Sequence, residues 1–215
     1  MFTVTPARIG HLFTRLIAPL FIGAACLASA HAQQQVDPTA APDVFVRTVA
    51  DNALKAIQNE PAAARADLQR LNQLVDQYVL PYVDLEKTTR LAAARHWRTA
   101  TPEQQKRLIE AFKGTLIRTY SGALSKVDEV SSINIQPYRG EADAKDAHVR
   151  SSFSQRNAPP VNVDYRLENT PSGWKIYDLN VEGIWLIQNY RNQFAQTISQ
   201  QGVDGLIDAL NQRNQ

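Results

Sequence analysis

The residues able to do chemistry in this 215-residue chain are few and widely spaced. Of four histidines, only His96 and His148 lie beyond the first 32 residues, and neither has a ligand-type partner three or four places away. A zinc site needs three or four ligands with at least one such close pair, so metal chemistry is not expected. Tyr120-Ser121-Gly122 lacks the Gly-x-Ser-x-Gly frame of a nucleophile elbow. The nine glycines are scattered, and none builds a phosphate-cradling loop. Two carboxylates remain. Asp164 and Asp178 fall inside predicted strands, where apolar surroundings would raise the pKa and suit a general base. The simpler role for each is a wet-face carboxylate beside Arg166 or Lys175.

Composition narrows the field further. With 44% hydrophobic and 20% charged residues the chain suits one globular domain with a sizeable core, and neither a disordered tail nor a coiled coil. The formal charge of +2 carries no basic stripe of the kind nucleic acid selects.

The first 32 residues stand apart. Arg8 and Arg15 precede the apolar run Leu16–Leu27, Ala30-His31-Ala32 forms a small-x-small cleavage pattern, and no acid appears before Asp37. This is the pattern of a signal peptide cut after Ala32, and the run is too short for a bilayer core needing about 20 apolar residues. Cys26 lacks the large aliphatic residue three places upstream that a lipid-anchored cysteine would show. Cleavage would leave a cysteine-free chain with basic and acidic residues in balance, expected in the periplasm. Residues 33–42 read as a flexible lead and residues 43–213 as the single domain.

The positioning elements follow from periodicity. Val46, Val49, Leu54 and Ile57 repeat at helical spacing after a candidate cap at Asp43. Pro61 opens a second helix through Leu68, Leu71, Leu74 and Val75, and Asp84 caps a third from Leu85 to Trp97. Thr101-Pro102-Glu103-Gln104 is a capping-box start for a helix carrying Leu108, Phe112, Leu116 and Tyr120 to about Lys126. From Ser131 the period becomes two. Strands are expected around Ile133, around Val149 and Phe153, from Val161 to Leu167, and from Trp174 to Val181, the last two as a hairpin. Helix returns with Ile184, Ile187, Tyr190 and Phe194, and a last short helix follows Gly202. The fold class is α+β: a helical N-terminal half, a four-stranded curved antiparallel sheet, C-terminal helices, and an apolar cavity between sheet and helices.

The run Trp174–Ile184 and its continuation Asn189-Tyr190-Arg191-Asn192-Gln193-Phe194 resemble the signature end of the MlaC family, the organic-solvent-tolerance family. Tyr82-Val83-Asp84, His96-Trp97-Arg98-x-Ala100-Thr101-Pro102-Glu103-Gln104 and Phe112-x-x-x-Leu116-x-x-Thr119-Tyr120 agree with it, collinear from about Phe45 to Leu210. The resemblance implies a monomeric periplasmic phospholipid carrier without catalytic activity or cofactor. Its partners would be an outer-membrane lipoprotein–porin complex and an inner-membrane ABC transporter with a hexameric lipid-binding ring, and its role outer-membrane lipid asymmetry. Resemblance and strand parity together point to a lipid-binding set of Tyr82, Tyr120, Val149, Phe153, Val163, Tyr165, Trp174, Ile176, Ile187 and Tyr190. Arg90 or Arg98 is the candidate phosphate partner at the mouth. Two other readings stay open on the residues alone: a small-molecule enzyme using Asp164 or Asp178 as base, and an envelope adaptor that binds no ligand. Export should leave a chain that begins at Gln33, and the intact mass of protein recovered from a periplasmic extract checks this.

Overall fold

The computed structural model describes residues 34–214 apart from Ser125 and Ala142, so the expected signal peptide and its cleavage site lie outside the described residues. Helices occupy the first half of the domain: α1 (Pro42–Gln58), α2 (Ala62–Arg65), α3 (Leu68–Tyr78), α4 (Leu85–Ala93) and α5 (Pro102–Leu124). Their starts follow local chemistry. The amides of Gln69 and Lys87 donate to the side chains of Asp67 and Asp84 at 2.8 Å each. At α5 the capping box forms reciprocally: the Gln104 amide donates to Thr101 Oγ1 at 3.2 Å, and the Thr101 amide donates to Gln104 Oε1 at 3.0 Å. Three expectations shift. Asp43 sits in the first turn of α1 beside Pro42 instead of capping it, the second expected helix is split at Ala66–Asp67 because Asp67 captures a new N-terminus, and the helix expected from Leu85 to Trp97 ends at Ala93, where Ala94 turns to φ 50° and a 3₁₀ turn follows.

The second half is an antiparallel meander in the order β1-β2-β3-β4-β5, with β1 (Val130–Ile135), β2 (Asp146–Gln155), β3 (Val161–Thr170), β4 (Gly173–Val181) and β5 (Ile184–Trp185). The fifth strand adds to the four expected. Glu182 and Gly183, at φ 51° and 87°, reverse the chain so tightly that Ile184 and Trp185 pair with Val181 and Asn180 before helix begins. Then α6 (Leu186–Asn214) runs to the end of the described chain, broken at Gly202 (φ 72°, ψ −178°) where two helices had been expected.

Three apolar clusters hold these layers. In one, α1 lies on the sheet, with Phe45, Val46 and Val49 against Val149, Tyr165, Leu167, Trp174 and Ile176. In another, α4, α5 and α6 meet around Phe112, whose ring stands edge-on to Tyr190 at 4.7 Å and to Phe194 at 5.0 Å. A third joins α1, α3 and α5 through Ile57, Leu71, Leu74 and Ile117.

The lead, expected to be flexible, is pinned from Gln34 onward. Val36 is buried, the Asn52 side chain donates to the Gln34 carbonyl at 2.7 Å, and the Trp174 amide donates to the Pro38 carbonyl at 2.8 Å. Gly173 makes this close approach possible, since a β-carbon there would lie 2.4 Å from the Pro38 carbonyl oxygen and the backbone sits at φ +93°. Gly173→Ala should therefore cost roughly 2–4 kcal/mol, through both strain and collision. Gly202→Ala, with nothing within 4 Å of the added carbon, should cost about 1–3 kcal/mol from its backbone conformation alone. Thermal melts of the two variants check the difference.

Candidate functional site

Strand register arranges the inward face of the sheet in rows. Ala147, Leu167 and Ile176 form one row, Val149, Tyr165 and Leu179 the next, then Ile135, Ser151, Val163 and Val181, and finally Ile133, Phe153 and Val161. Burial falls along this series. The first row is buried throughout and the last is only half-buried, so the apolar face opens progressively toward the Phe153 end. At the β4–β5 corner Ile184, which pairs with Val181, is 58% exposed. One polar pair interrupts the apolar lining. Ser151 Oγ donates to the Val163 carbonyl at 2.8 Å and lies 3.5 Å from the Tyr165 hydroxyl, and burial pushes that phenol up to about 12.

Leu179 and Val181 are on this face only because β4 slips register. Leu167 pairs with Ile176 but Arg166 pairs with Asp178, so Tyr177 bulges out and the alternation changes phase. Strict alternation from Trp174 and Ile176 would have turned Asp178 and Asn180 inward and hidden Leu179 and Val181 outside. The signal is visible in the sequence after the fact: apolar residues move from even to odd positions across Tyr177. The bulge is stitched to α4, whose Thr88 hydroxyl donates to the Tyr177 carbonyl at 2.7 Å, while the Asp84 amide donates to the Ile176 carbonyl at 2.8 Å.

Eight of the ten candidate residues divide between two clusters. Val149, Tyr165, Trp174 and Ile176 are buried together under α1, with Tyr82 and Val163 packed against them. Tyr190 belongs to the helical cluster, and Tyr120 packs on it half-buried. Phe153 lies at the half-buried end of the face, and Ile187 is buried at the start of α6. Leu179 packs against both clusters, which makes it the joint between sheet and helices. Leu179 and Val181 share the inward face with the candidate residues without having been among them, and Leu116, which packs on the helical cluster, carries only an ordinary helical period. Of the two arginines considered for the mouth, Arg90 is exposed in the last turn of α4 and Arg98 is exposed in the 3₁₀ turn that follows it. Arg98 precedes α5 whereas Tyr120 lies 18 residues along it, roughly 27 Å at about 1.5 Å per residue.

The two candidate bases have structural partners. Asp178 has no exposed side-chain surface; its Oδ1 accepts from the amides of Leu179 at 3.0 Å and Ile187 at 3.1 Å, and its Oδ2 accepts from Arg166 at 3.1 Å. It fastens the first turn of α6 to the sheet, leaving no open approach for a substrate. Burial raises its pKa, opposed by those same hydrogen bonds and by the Arg166 charge. Asp164 is half-buried on the outer face, 3.3 Å from His148 Nε2. It helps line a polar concavity of about 310 Å³ with Asn134, Gln136, Arg150 and Asn162. A second opening, about 590 Å³, lies between the pinned lead and the β3–β4 turn, with Trp174 in its wall.

Comparison with known proteins bears on this arrangement. The family model described as "MlaC protein" matches residues 47–212. The toluene tolerance protein ttg2D of Pseudomonas putida is 32% identical over 125 residues, 58% of this chain and 57% of that relative's length. The intermembrane phospholipid transport system binding protein MlaC of Haemophilus influenzae is 24% identical over 174 residues, 80% of this chain and 81% of that protein. A solved phospholipid-binding protein from Ralstonia solanacearum, in complex with a phospholipid, is 44% identical with a TM-score of 0.77, covering 81% of this chain and 97% of its own.

The raised pKa of Asp178 means that, above the ordinary carboxylate value of 3.8, the folded protein retains a proton the unfolded chain has released. This group's contribution to stability therefore falls as pH rises through that window, and the cost persists at neutral pH. Asp178→Asn keeps an oxygen for both amides and removes the ionisation, so the pH dependence should flatten with a change below about 1 kcal/mol at neutral pH. Asp178→Ala strands two buried N–H groups and should cost about 2–3 kcal/mol. Denaturant titrations across pH check both.

Proposed function

Because the chain belongs to the MlaC family, we propose that it is a periplasmic phospholipid carrier, passing lipid between an outer-membrane lipoprotein–porin complex and an inner-membrane transporter. In this reading it keeps misplaced phospholipid out of the outer leaflet and performs no covalent chemistry. The observation that carries it is the graded apolar face of the sheet, buried at Leu167 and half-open at Phe153, with the joint at Leu179 toward the helices. Likeness to a protein solved with phospholipid supports the cargo.

The energetics explain why such a face suffices. Two acyl chains of about 16 carbons expose about 30 methylenes at roughly 0.8 kcal/mol each, so crossing water bare would cost on the order of 20 kcal/mol. A carrier has only to match the burial offered by a membrane; tighter capture would prevent release. Acyl chains would enter from the Phe153 end along Val161, Val163 and Val181, parting the sheet from α5 at Leu116 and Tyr120. Ser151 and Tyr165 would mark a polar point deep in that path. Asp178 serves this design as a fastener, holding α6 to the sheet while the apolar surfaces separate.

Native mass spectrometry of the protein recovered from a bacterial periplasm, with lipid analysis of the same sample, should show an adduct of phospholipid mass. Val163→Asp should remove the adduct and leave the circular dichroism spectrum unchanged. A wild-type protein that stays free of lipid after incubation with phospholipid vesicles would overturn the carrier reading.

A further inference from the structure

Between Glu86 and Glu103 the chain has no acidic residue, and three exposed arginines, Arg90, Arg95 and Arg98, fall in that interval. None makes an ion pair among the described residues. The fold gathers them. Ala94 turns at φ 50°, ψ −127°, ending α4 and starting the 3₁₀ turn Ala94–Arg98. That region is costly for a residue with a β-carbon, and the surrounding structure holds it there. Trp97 drives into the helical core, and Gln105 Nε2 donates to the Trp97 carbonyl at 2.9 Å, so the turn is clamped to α5. In a 3₁₀ turn residues three apart eclipse, which puts Arg95 and Arg98 on one side about 6 Å apart along the axis. Arg191 of α6 adds a fourth guanidinium. Its Nε donates at 3.2 Å to the Leu91 carbonyl at the end of α4.

We propose that Arg90, Arg95 and Arg98, backed by Arg191, form a docking surface for the acidic face of a partner protein. Charge complementarity identifies the partner: guanidinium forks without a carboxylate partner, Arg95 touching only His96 at 3.5 Å, suit carboxylates and give fast, oriented, salt-sensitive encounter. A bilayer is the less suitable occupant. Basic surfaces that bind membranes carry large apolar side chains beside the charge, whereas Trp97 is buried here. The exposed large apolar residues among those described are Val44 and Ile184, in α1 and β5. The surface is also distinct from the cargo path, since Tyr120 stands five turns along α5 from it. It does not depend on the carrier reading.

The test uses the full-length chain, expressed with its leader and purified, and fluorescent poly-L-glutamate as the acidic probe. Wild type should bind, with affinity falling at least about tenfold from roughly 50 to 200 mM salt. R95E/R98E should weaken binding at least about tenfold at the lower salt, while R139E/R156E, reversing two exposed arginines elsewhere, should leave it within about twofold. Lipid content should be the same in all three proteins, which separates this surface from the cargo site. If R95E/R98E fails to fold by circular dichroism, R90E carries the same expectation. Equal weakening by both reversals, or binding to phosphatidylglycerol vesicles but not to polyglutamate, would overturn the proposal.

Discussion

Tyr177 has no residue opposite it on β3, and much of the molecule is arranged around that extra residue. Before it, Trp174 and Ile176 face the core under α1; after it, Leu179 does, with Val181 on the same face opposite Val163. Without the slip, Leu179 would not reach both apolar clusters, and Asp178 would point into the sheet's apolar face. With it, Asp178 turns toward the start of α6 and accepts two backbone amides there. A bulge leaves backbone groups out of the ladder, and the Thr88 hydroxyl supplies the partner for the Tyr177 carbonyl. One strand thereby presents an apolar surface on one side and an ionic fastener on the other.

That division of labour suits the proposed carrier, which would have to both hold and release an apolar cargo. Apolar contacts are non-directional and can part and re-form with little penalty once another apolar surface takes their place. The junction of Asp178 with Arg166 and α6 is directional and its carboxylate is buried, so it would keep the helix attached while apolar surfaces exchanged neighbours. In that proposed role the gradient of burial from Leu167 to Phe153 would order the exchange, with the firmly packed end beneath α1 and the pinned lead. The aromatic cluster around Phe112 stabilises the helical layer and meets the sheet at Leu179.

Charge is distributed with similar economy. Near the sheet several ionisable groups are tied to a neighbour: Arg166 to Asp178, Lys87 to Glu168, His148 to Asp164. The arginines between Glu86 and Glu103 are instead left exposed by a turn whose backbone is held in an uncommon conformation. An exposed ion pair contributes little to stability, so leaving these groups unpaired costs the fold little and keeps them available.

The sequence by itself determined which elements form and in what order. Capping residues at Asp84 and Thr101, helical periods through Phe112 and Phe194, the break at Gly202 and the alternation from Val161 to Leu167 are local signals, each acting within a turn or two of chain. Short connections between alternating strands then leave an antiparallel meander as the simplest sheet. The candidate site was legible only in part. Val149, Val163 and Tyr165 follow from parity on unbroken strands, whereas Leu179 and Val181 depend on a bulge whose partners lie on β3 and α4. Tertiary structure alone decided that Asp178 is a helix fastener and not a base, that residues 34–41 are held to the domain by Trp174 and Asn52, and that Arg98 lies far from Tyr120. The physical reason is common to all of these: each is set by hydrogen bonds and packing between segments tens of residues apart, which no local period encodes.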